Sequence, residues 1–455
     1  MRSIRRLLDR NFSGVFVATV SLVTGGAVAS CGSDDDVPAI ATQDDAGADG
    51  PLGDAAGLDD DASADGSSPG DAAPFDGGPR AVVCTSPPCA VSLVGALGSS
   101  DSDRSEAYCA LLDDGAVACW GANNAGQLGR GPDAGAADSA RAQRVVDLPE
   151  MALLDHTCGI DKSGSVWCWG TGPFLTNDAG TVTTQRTPVK LPLPAVKSVA
   201  VGPDVGCASI DDDVVCWGRN TNGLIASFNS VSSSAVLLPQ RVAVPAGAPI
   251  RGLRVSKAAF ALRHDGVTVS WGANPPLART SSLGPDPNPL PIPLAGISSM
   301  DLTSDNACAI AGGVGYCWGR ANILPSPPFD RVVPEPVSTP EPVVQIATAR
   351  SVRTAALGDS FVQPQRWCAV GASGSVYCYG YNGGGQAGDG TKEHAYEPVK
   401  VQLPEKAVQV SAFPDSTCAL LVNGKVYCWG TNYYGQLGNG KMREPSLVPQ
   451  EVVLP

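Results

Sequence analysis

The sequence predicts an all-β fold, a seven-bladed β-propeller with four-stranded antiparallel blades, and three observations carry that reading. A phrase ending in an aromatic residue and glycine recurs along the chain: CALLDDGAVACWG from Cys109, CGIDKSGSVWCWG from Cys158, CASIDDDVVCWG from Cys207, CAIAGGVGYCWG from Cys308, CAVGASGSVYCYG from Cys368 and CALLVNGKVYCWG from Cys418. A seventh copy, FALRHDGVTVSWG from Phe260, keeps the frame with Phe260 and Ser270 in place of both cysteines. The closing aromatics Trp120, Trp169, Trp217, Trp271, Trp318, Tyr379 and Trp429 are separated by 49, 48, 54, 47, 61 and 50 residues, a period near fifty with insertions.

Each phrase reads as a hairpin. Pairing residues inward from Cys109 and Cys119 sets Ala110 against Ala118 and Leu111 against Val117. Asp113, Asp114 and Gly115 are left as a three-residue turn with glycine where the left-handed conformation is needed. The pairs Cys207 with Cys216 and Cys308 with Cys317 are one residue closer, and the same pairing leaves two-residue turns, Asp211-Asp212 and Gly312-Gly313. Spacing and turn length therefore change together, which keeps the two cysteines opposite each other, where Cα atoms lie about 4.5 to 5.5 Å apart, within reach of a disulfide. The expected staples are Cys109–Cys119, Cys158–Cys168, Cys207–Cys216, Cys308–Cys317, Cys368–Cys378 and Cys418–Cys428, with Cys84 and Cys89 of CTSPPC as a seventh pair. Joint loss of both cysteines at Phe260 and Ser270 agrees, since half a disulfide is useless. Metal binding is disfavoured because no paired C-x-x-C groups occur and histidine is scarce.

The remaining strands of each unit follow from alternation. Apolar segments such as AVSLVGAL, VKSVAVG, ISSMDLT and AVQVSAF precede the hairpins, and proline-led segments such as EPVKVQLP from Glu397 follow them. Four short strands repeated radially make propeller blades, which bury their faces only against one another. The repeated aromatics are read as packing between blades. Seven units fill residues 91 to 455, within a propeller domain assigned to residues 81–455.

The ends of the chain read differently. Residues 1–30 place Arg2, Arg5, Arg6 and Arg10 ahead of an uncharged stretch ending in small residues, the layout of an export signal. Val28, Ala29, Ser30 and Cys31 resemble a bacterial lipoprotein signal, whose cysteine is lipidated; such signals more often carry leucine where Val28 stands. Cysteine parity agrees, because seven pairs use all but one of the 15 cysteines and leave Cys31. An ordinary cleaved signal with a free Cys31, or an uncleaved anchor, are the alternatives. Residues 31–80 hold 13 Asp and one basic residue, Arg80, a composition that cannot bury a core and is expected to be a disordered tether. Of the net charge of −14, +3 belongs to residues 1–30, −12 to residues 31–80 and −5 to residues 81–455. No basic stripe for nucleic acid is present. The stapled hairpins suit an oxidising compartment. The expected location is the cell envelope, with the outer membrane favoured because Gly32 follows Cys31.

With seven units in view, the sequence resembles the regulator of chromosome condensation repeat family. The resemblance rests on CALLDDGAVACWGANNAGQLGRG from Cys109, CALLVNGKVYCWGTNYYGQLGNG from Cys418 and YNGGGQAGDGT from Tyr381. The central units depart from it, with NTNGLIASFNS beyond Gly218, ANPPLARTSSLGPDPNPLP after Gly272 and ANILPSPPFD beyond Gly319. The family implies a seven-bladed propeller. Its namesake promotes nucleotide exchange on a small GTPase and contacts chromatin, activities that an exported, acidic chain without a basic tail does not inherit. A secreted bacterial branch, which includes a protein inhibitor of β-lactamases acting through one ring face, implies protein binding.

No catalytic motif stands against that reading. His156, His264 and His394 fall in three different units, and no H-E-x-x-H, P-loop or G-x-S-x-G sequence occurs. The expectation is a monomeric, non-catalytic, cofactor-free binding or scaffold propeller with a protein partner and no nucleic acid, touching the membrane only through its lipid. The alternative is an envelope enzyme or glycan-binding protein with a site at the axis. Candidate partner-binding residues are the loop aromatics Phe174, Phe228, Phe329, Tyr433 and Tyr434.

Overall fold

The computed structural model describes residues 77–455 apart from 97–103, 178–179, 212, 322–328 and 357–358. Cys31, the export signal and most of the expected tether lie outside the described residues. Seven four-stranded antiparallel sheets follow one another in sequence, each in consecutive strand order except the sixth, whose first two strands are separated by an additional hairpin. Blade 1 comprises Ala90–Ala96, Ala107–Leu112, Val117–Gly121 and Ser139–Arg144, and blade 7 comprises Ala407–Ala412, Ser416–Leu421, Val426–Gly430 and Ser446–Glu451. Among the described residues no strand is exchanged between first and last blades, and the ring closes through side-chain packing and hydrogen bonds between them.

The hairpin pairing holds throughout. Cys109 faces Cys119, Cys207 faces Cys216, Cys308 faces Cys317, and the cysteine-free pair Phe260 and Ser270 stand opposite each other in the same way. All seven disulfides form. The six hairpin staples have Cα separations of 4.0–4.1 Å, tighter than expected and nearest to the closer of the two kinds of antiparallel site. In blade 4 the staple is replaced by packing: Phe260 is fully buried with its ring 6.0 Å from Trp318, and the Ser270 hydroxyl donates to Leu277 O at 2.6 Å.

The Trp-Gly step joins blades. Trp120, Trp169, Trp217, Trp271, Trp318 and Trp429 are buried, and each indole N–H donates to a backbone carbonyl of the preceding blade: Gln436, Gln127, Pro173, Leu224, Pro276 and Gln386, at 2.6–3.0 Å. The Trp120 bond runs from blade 1 to blade 7 and seals the ring. The sixth blade has Tyr379 here, half-buried and stacked on Trp367 at 5.5 Å. Glycine follows because the chain bulges there: Gly218 has φ of 104°, and a Cβ would lie 2.3 Å from Asp204 O.

The 61-residue gap before Tyr379 has a physical cause. Between the first two strands of blade 6 the chain makes an additional hairpin, Val352–Ala356 with Asp359–Gln363. It stands on the face that also carries the loops after each Trp-Gly, hereafter the loop face.

Candidate functional site

The N-terminal segment distinguishes the two ring faces. Residues 77–89 run along the opposite face, that of the hairpin turns, where Val83 N–H donates to Val422 O, Ala90 N–H to Gly424 O and Asp113 N–H to Cys89 O. Pro79 to Val82 line the end of the axial channel, and Arg80 donates to Ala372 O at 3.3 Å. Residues 77–89 therefore belong to the turn face and leave the loop face clear of that segment.

On the loop face, the Asn and Gln of N-x-x-G-Q-L-G knit their own loops. Asn432 Oδ1 accepts from Leu437 N–H at 3.1 Å, and Gln436 Oε1 accepts from Tyr434 N–H at 2.8 Å. Asn123, Gln127, Asn382 and Gln386 do the same in blades 1 and 6. The loops are thus rigid platforms. Tyr433, 56% exposed, sits edge-on to half-buried Tyr434 at 4.8 Å with the Arg443 guanidinium 5.4 Å above its ring.

The other candidates do not converge on that pair. Phe228 and Phe329 are exposed on blades 3 and 5, Phe329 beneath the Arg331 guanidinium at 5.3 Å. Phe174 must be corrected: at 1% exposure it is buried in one cluster with Trp217, Val199 and Leu191 at the joint between blades 2 and 3. A partner cannot reach it. A second aromatic group was missed: Tyr381, His394 and Tyr396 on blade 6 have ring separations of 5.0 and 6.4 Å, and Tyr396 is 56% exposed. The signal was the YNGGGQAGDGTKEHAY stretch itself, whose aromatics lie at its two ends and meet only when the loop closes.

Beneath these loops a buried charge network ties blades 6, 7 and 1. The Glu106 carboxyl group bonds Asp415 N–H at 2.8 Å and Ser416 Oγ at 2.6 Å, and the Tyr108 hydroxyl lies 2.9 Å from Ser416 Oγ. Arg366 donates to Phe413 O and to Ser416 O, the latter at 2.5 Å. Arg104 pairs with Asp415 and donates to Gln363 Oε1 at 3.0 Å, fastening the additional hairpin. Burial, and then the Asp415 charge, push Glu106 up to about 8, while burial brings Arg366 down to about 10.

The axial channel encloses about 830 Å³ and is walled by the seven inner strands. These strands are not paired with one another; side chains bridge them. Gln345 bonds Val410 N–H at 2.8 Å and Val410 O at 3.0 Å, and Gln409 bonds Leu93 N–H at 3.0 Å and Leu93 O at 2.5 Å. Asp301 accepts from Thr348 N–H at 2.8 Å, Arg254 donates to Met300 O at 3.2 Å, and His156 Nδ1 donates to Gly95 O. Bridges thus run from blade 4 through 5, 6, 7 and 1 to 2. Burial raises the Asp301 pKa, with the Thr348 N–H and the His156 and Arg254 charges opposing. One buried Asp155 carboxylate oxygen on blade 2 has no hydrogen-bond partner among the described residues.

Stapled four-stranded blades, a sealed ring and a platform of tied loops define a seven-bladed propeller with a prepared loop face. Sequence models of the Regulator of chromosome condensation (RCC1) repeat match residues 105–127 and 407–436, and 373–420 and 423–455. Residues 105–127 and 373–455 thus carry this repeat. The Ultraviolet-B receptor UVR8 of Arabidopsis thaliana is 28% identical over 366 residues, 72% of this chain and 74% of the receptor. The E3 ubiquitin-protein ligase HERC2 of Homo sapiens is 27% identical over 192 residues, 40% of this chain but only 4% of the ligase. Among solved structures, Prp20p from Saccharomyces cerevisiae superposes with a TM-score of 0.59 at 19% identity, covering 75% of this chain and 87% of that one. Human WBSCR16 gives a TM-score of 0.59 at 18% identity over 74% and 93%.

Proposed function

We propose that this protein is an extracytoplasmic, lipid-anchored propeller that captures a protein partner on its loop face and performs no chemistry of its own. The observation that carries the reading is the pair of aromatic groups on adjacent blades, Tyr381, His394 and Tyr396 beside Tyr433 and Tyr434, on the face away from the N-terminal segment. Large aromatic side chains on rigid backbone, with an arginine beside them, are what binding hot spots are made of. The described N-terminal residues, 77–89, run along the turn face and leave the loop face free of that segment. The export motif, the unpaired Cys31 and the seven disulfides support an envelope location, and Gly32 favours the outer membrane. Relatives of this fold support binding as the activity: one is a receptor, and Prp20p has been characterised for binding to Gsp1p and histones.

The test is capture from an envelope extract, with the full oxidised chain as bait beside a Tyr396→Ala, Tyr433→Ala, Tyr434→Ala variant of unchanged thermal stability. A protein held by the native bait and weakened at least about tenfold by the variant is expected. Capture that is unaffected by the three substitutions, or no capture by either bait, contradicts the reading and directs attention to glycans and the axial channel.

A further inference from the structure

The channel's charge runs against that of the chain. Residues 81–455 carry a net charge of −5, yet the lumen is lined by Arg80, Lys197, Arg251, Arg254 and Arg350 against only Asp155 and Asp301, with His156 beside them. These groups are not spread evenly. On blades 6, 7 and 1 the inner strands present Gln345, Ala347, Gln409, Ser411, Ser92 and Val94, all uncharged. Arg251 and Arg254 on blade 4 and Lys197 on blade 3 lie between Asp155 on blade 2 and Asp301 on blade 5, while Arg350, just after the inner strand of blade 6, and Arg80 of the N-terminal segment add two more cations.

Arg251 and Arg254 come from one strand, Ile250–Val255 of blade 4. Its first residue pairs with Arg263 and the next pairing is Gly252 with Leu262, so a bulge interrupts the alternation. Arg251 and Arg254 therefore both reach the lumen, and both are exposed to solvent there. Arg251 donates to Arg263 O and Ile297 O, and Arg254 to Met300 O and Leu253 O. Carbonyls orient the guanidinium groups without neutralising them, and neither lies within ion-pair distance of a carboxylate among the described residues. Burial and then the neighbouring Arg254 charge lower the Arg251 pKa. Asp301 offsets part of the Arg254 charge, and the remaining excess of cations in a confined lumen favours an anion there.

We infer that the axial channel is a binding site for a small multivalent oxyanion, a polycarboxylate or a phosphorylated molecule, held by the Arg251 and Arg254 pair on blade 4. The volume of about 830 Å³ falls within the range of small-molecule sites. Access is from the loop face, because Pro79 to Val82 occupy the turn-face end. The site is separate from the aromatic surface on blades 6 and 7 and stands whether or not that surface binds a protein.

The experiment is calorimetric titration of the full oxidised chain with citrate and, separately, pyrophosphate at physiological ionic strength, on the native protein and on Arg251→Gln/Arg254→Gln. Saturable uptake of one anion per chain is expected, weakened about tenfold or more in the double variant and unchanged in Arg241→Gln, whose side chain pairs with Asp213 on the outer surface. Citrate alone identifies a carboxylate ligand, pyrophosphate alone a phosphate ligand. Because both arginines also bond blade 5 carbonyls, Arg251→Lys/Arg254→Lys is measured alongside; it keeps the charge and loses the fork, and it retains more uptake than the glutamine pair if the site is electrostatic. Absence of saturable uptake of either anion, or uptake equal in native, lysine and glutamine forms, overturns the inference.

Discussion

Blades 6, 7 and 1 join one another through paired glutamine bridges and a buried network centred on Glu106, Arg366 and Ser416, whereas blades 2 to 5 place Asp155, Lys197, Arg251, Arg254 and Asp301 around the axis. Gln345 and Gln409 each grip both backbone groups of the next inner strand, and Glu106, Arg366 and Tyr108 converge on Ser416 where the ring closes. The family's repeat models match this arc and little else. The comparison teaches that, among the described residues, the meeting of first and last blades is held by side-chain bridges and buried hydrogen bonds, since no exchanged strand joins them there. Each arc has its own surface: aromatics on tied loops over blades 6 and 7, cations in the lumen beside blade 4.

The largest effect that sharpens this comparison concerns the staples. Replacing Cys418 and Cys428 together by alanine in blade 7 is expected to lower unfolding stability by about 3 kcal/mol in denaturant titration, since the lost cross-link had restrained the unfolded hairpin. Introducing a staple into blade 4 with Phe260→Cys and Ser270→Cys is expected to gain much less than that. The new disulfide displaces the Phe260 ring from Trp318 and the Ser270 bond to Leu277 O. Equal and opposite changes in the two blades would show that the packing in blade 4 is not a substitute for its missing staple.

A smaller effect separates the seam by pH. Glu106 holds its proton more tightly in the folded chain, with a pKa raised to about 8 from an ordinary 4.5. Between those values the folded state binds more protons than the unfolded one, so this group's contribution is fully present below about 4.5 and is lost as pH rises through about 8. Glu106→Gln is expected to flatten the fall of thermal stability over that window. An unchanged profile would place the titration elsewhere.

Most of the fold was legible because its constraints are local. Cysteine spacing and turn length vary together only if Cys207 stays opposite Cys216 and Cys109 opposite Cys119, and the structure has that register. The acceptors of the tryptophan N–H groups were not legible, since Gln436 lies 316 residues from Trp120. The site was legible only in part. Tyr433 and Tyr434 are neighbours in sequence and form a pair in space, whereas Phe174 reads as a loop aromatic and is in fact buried between blades, because sequence does not show which loop side chains fold back into a joint. Arg251 and Arg254 are three apart, a spacing that regular strand alternation places on opposite faces, and only the bulge turns both inward.

The most direct test of the central claim is hydrogen exchange on the complex of the full oxidised chain with its captured partner. The account predicts protection in residues 381–396 and 431–443 of the loop face, with the hairpin turns at 161–165 and 371–375 exchanging as in the free protein. Protection confined to the hairpin turns would contradict it.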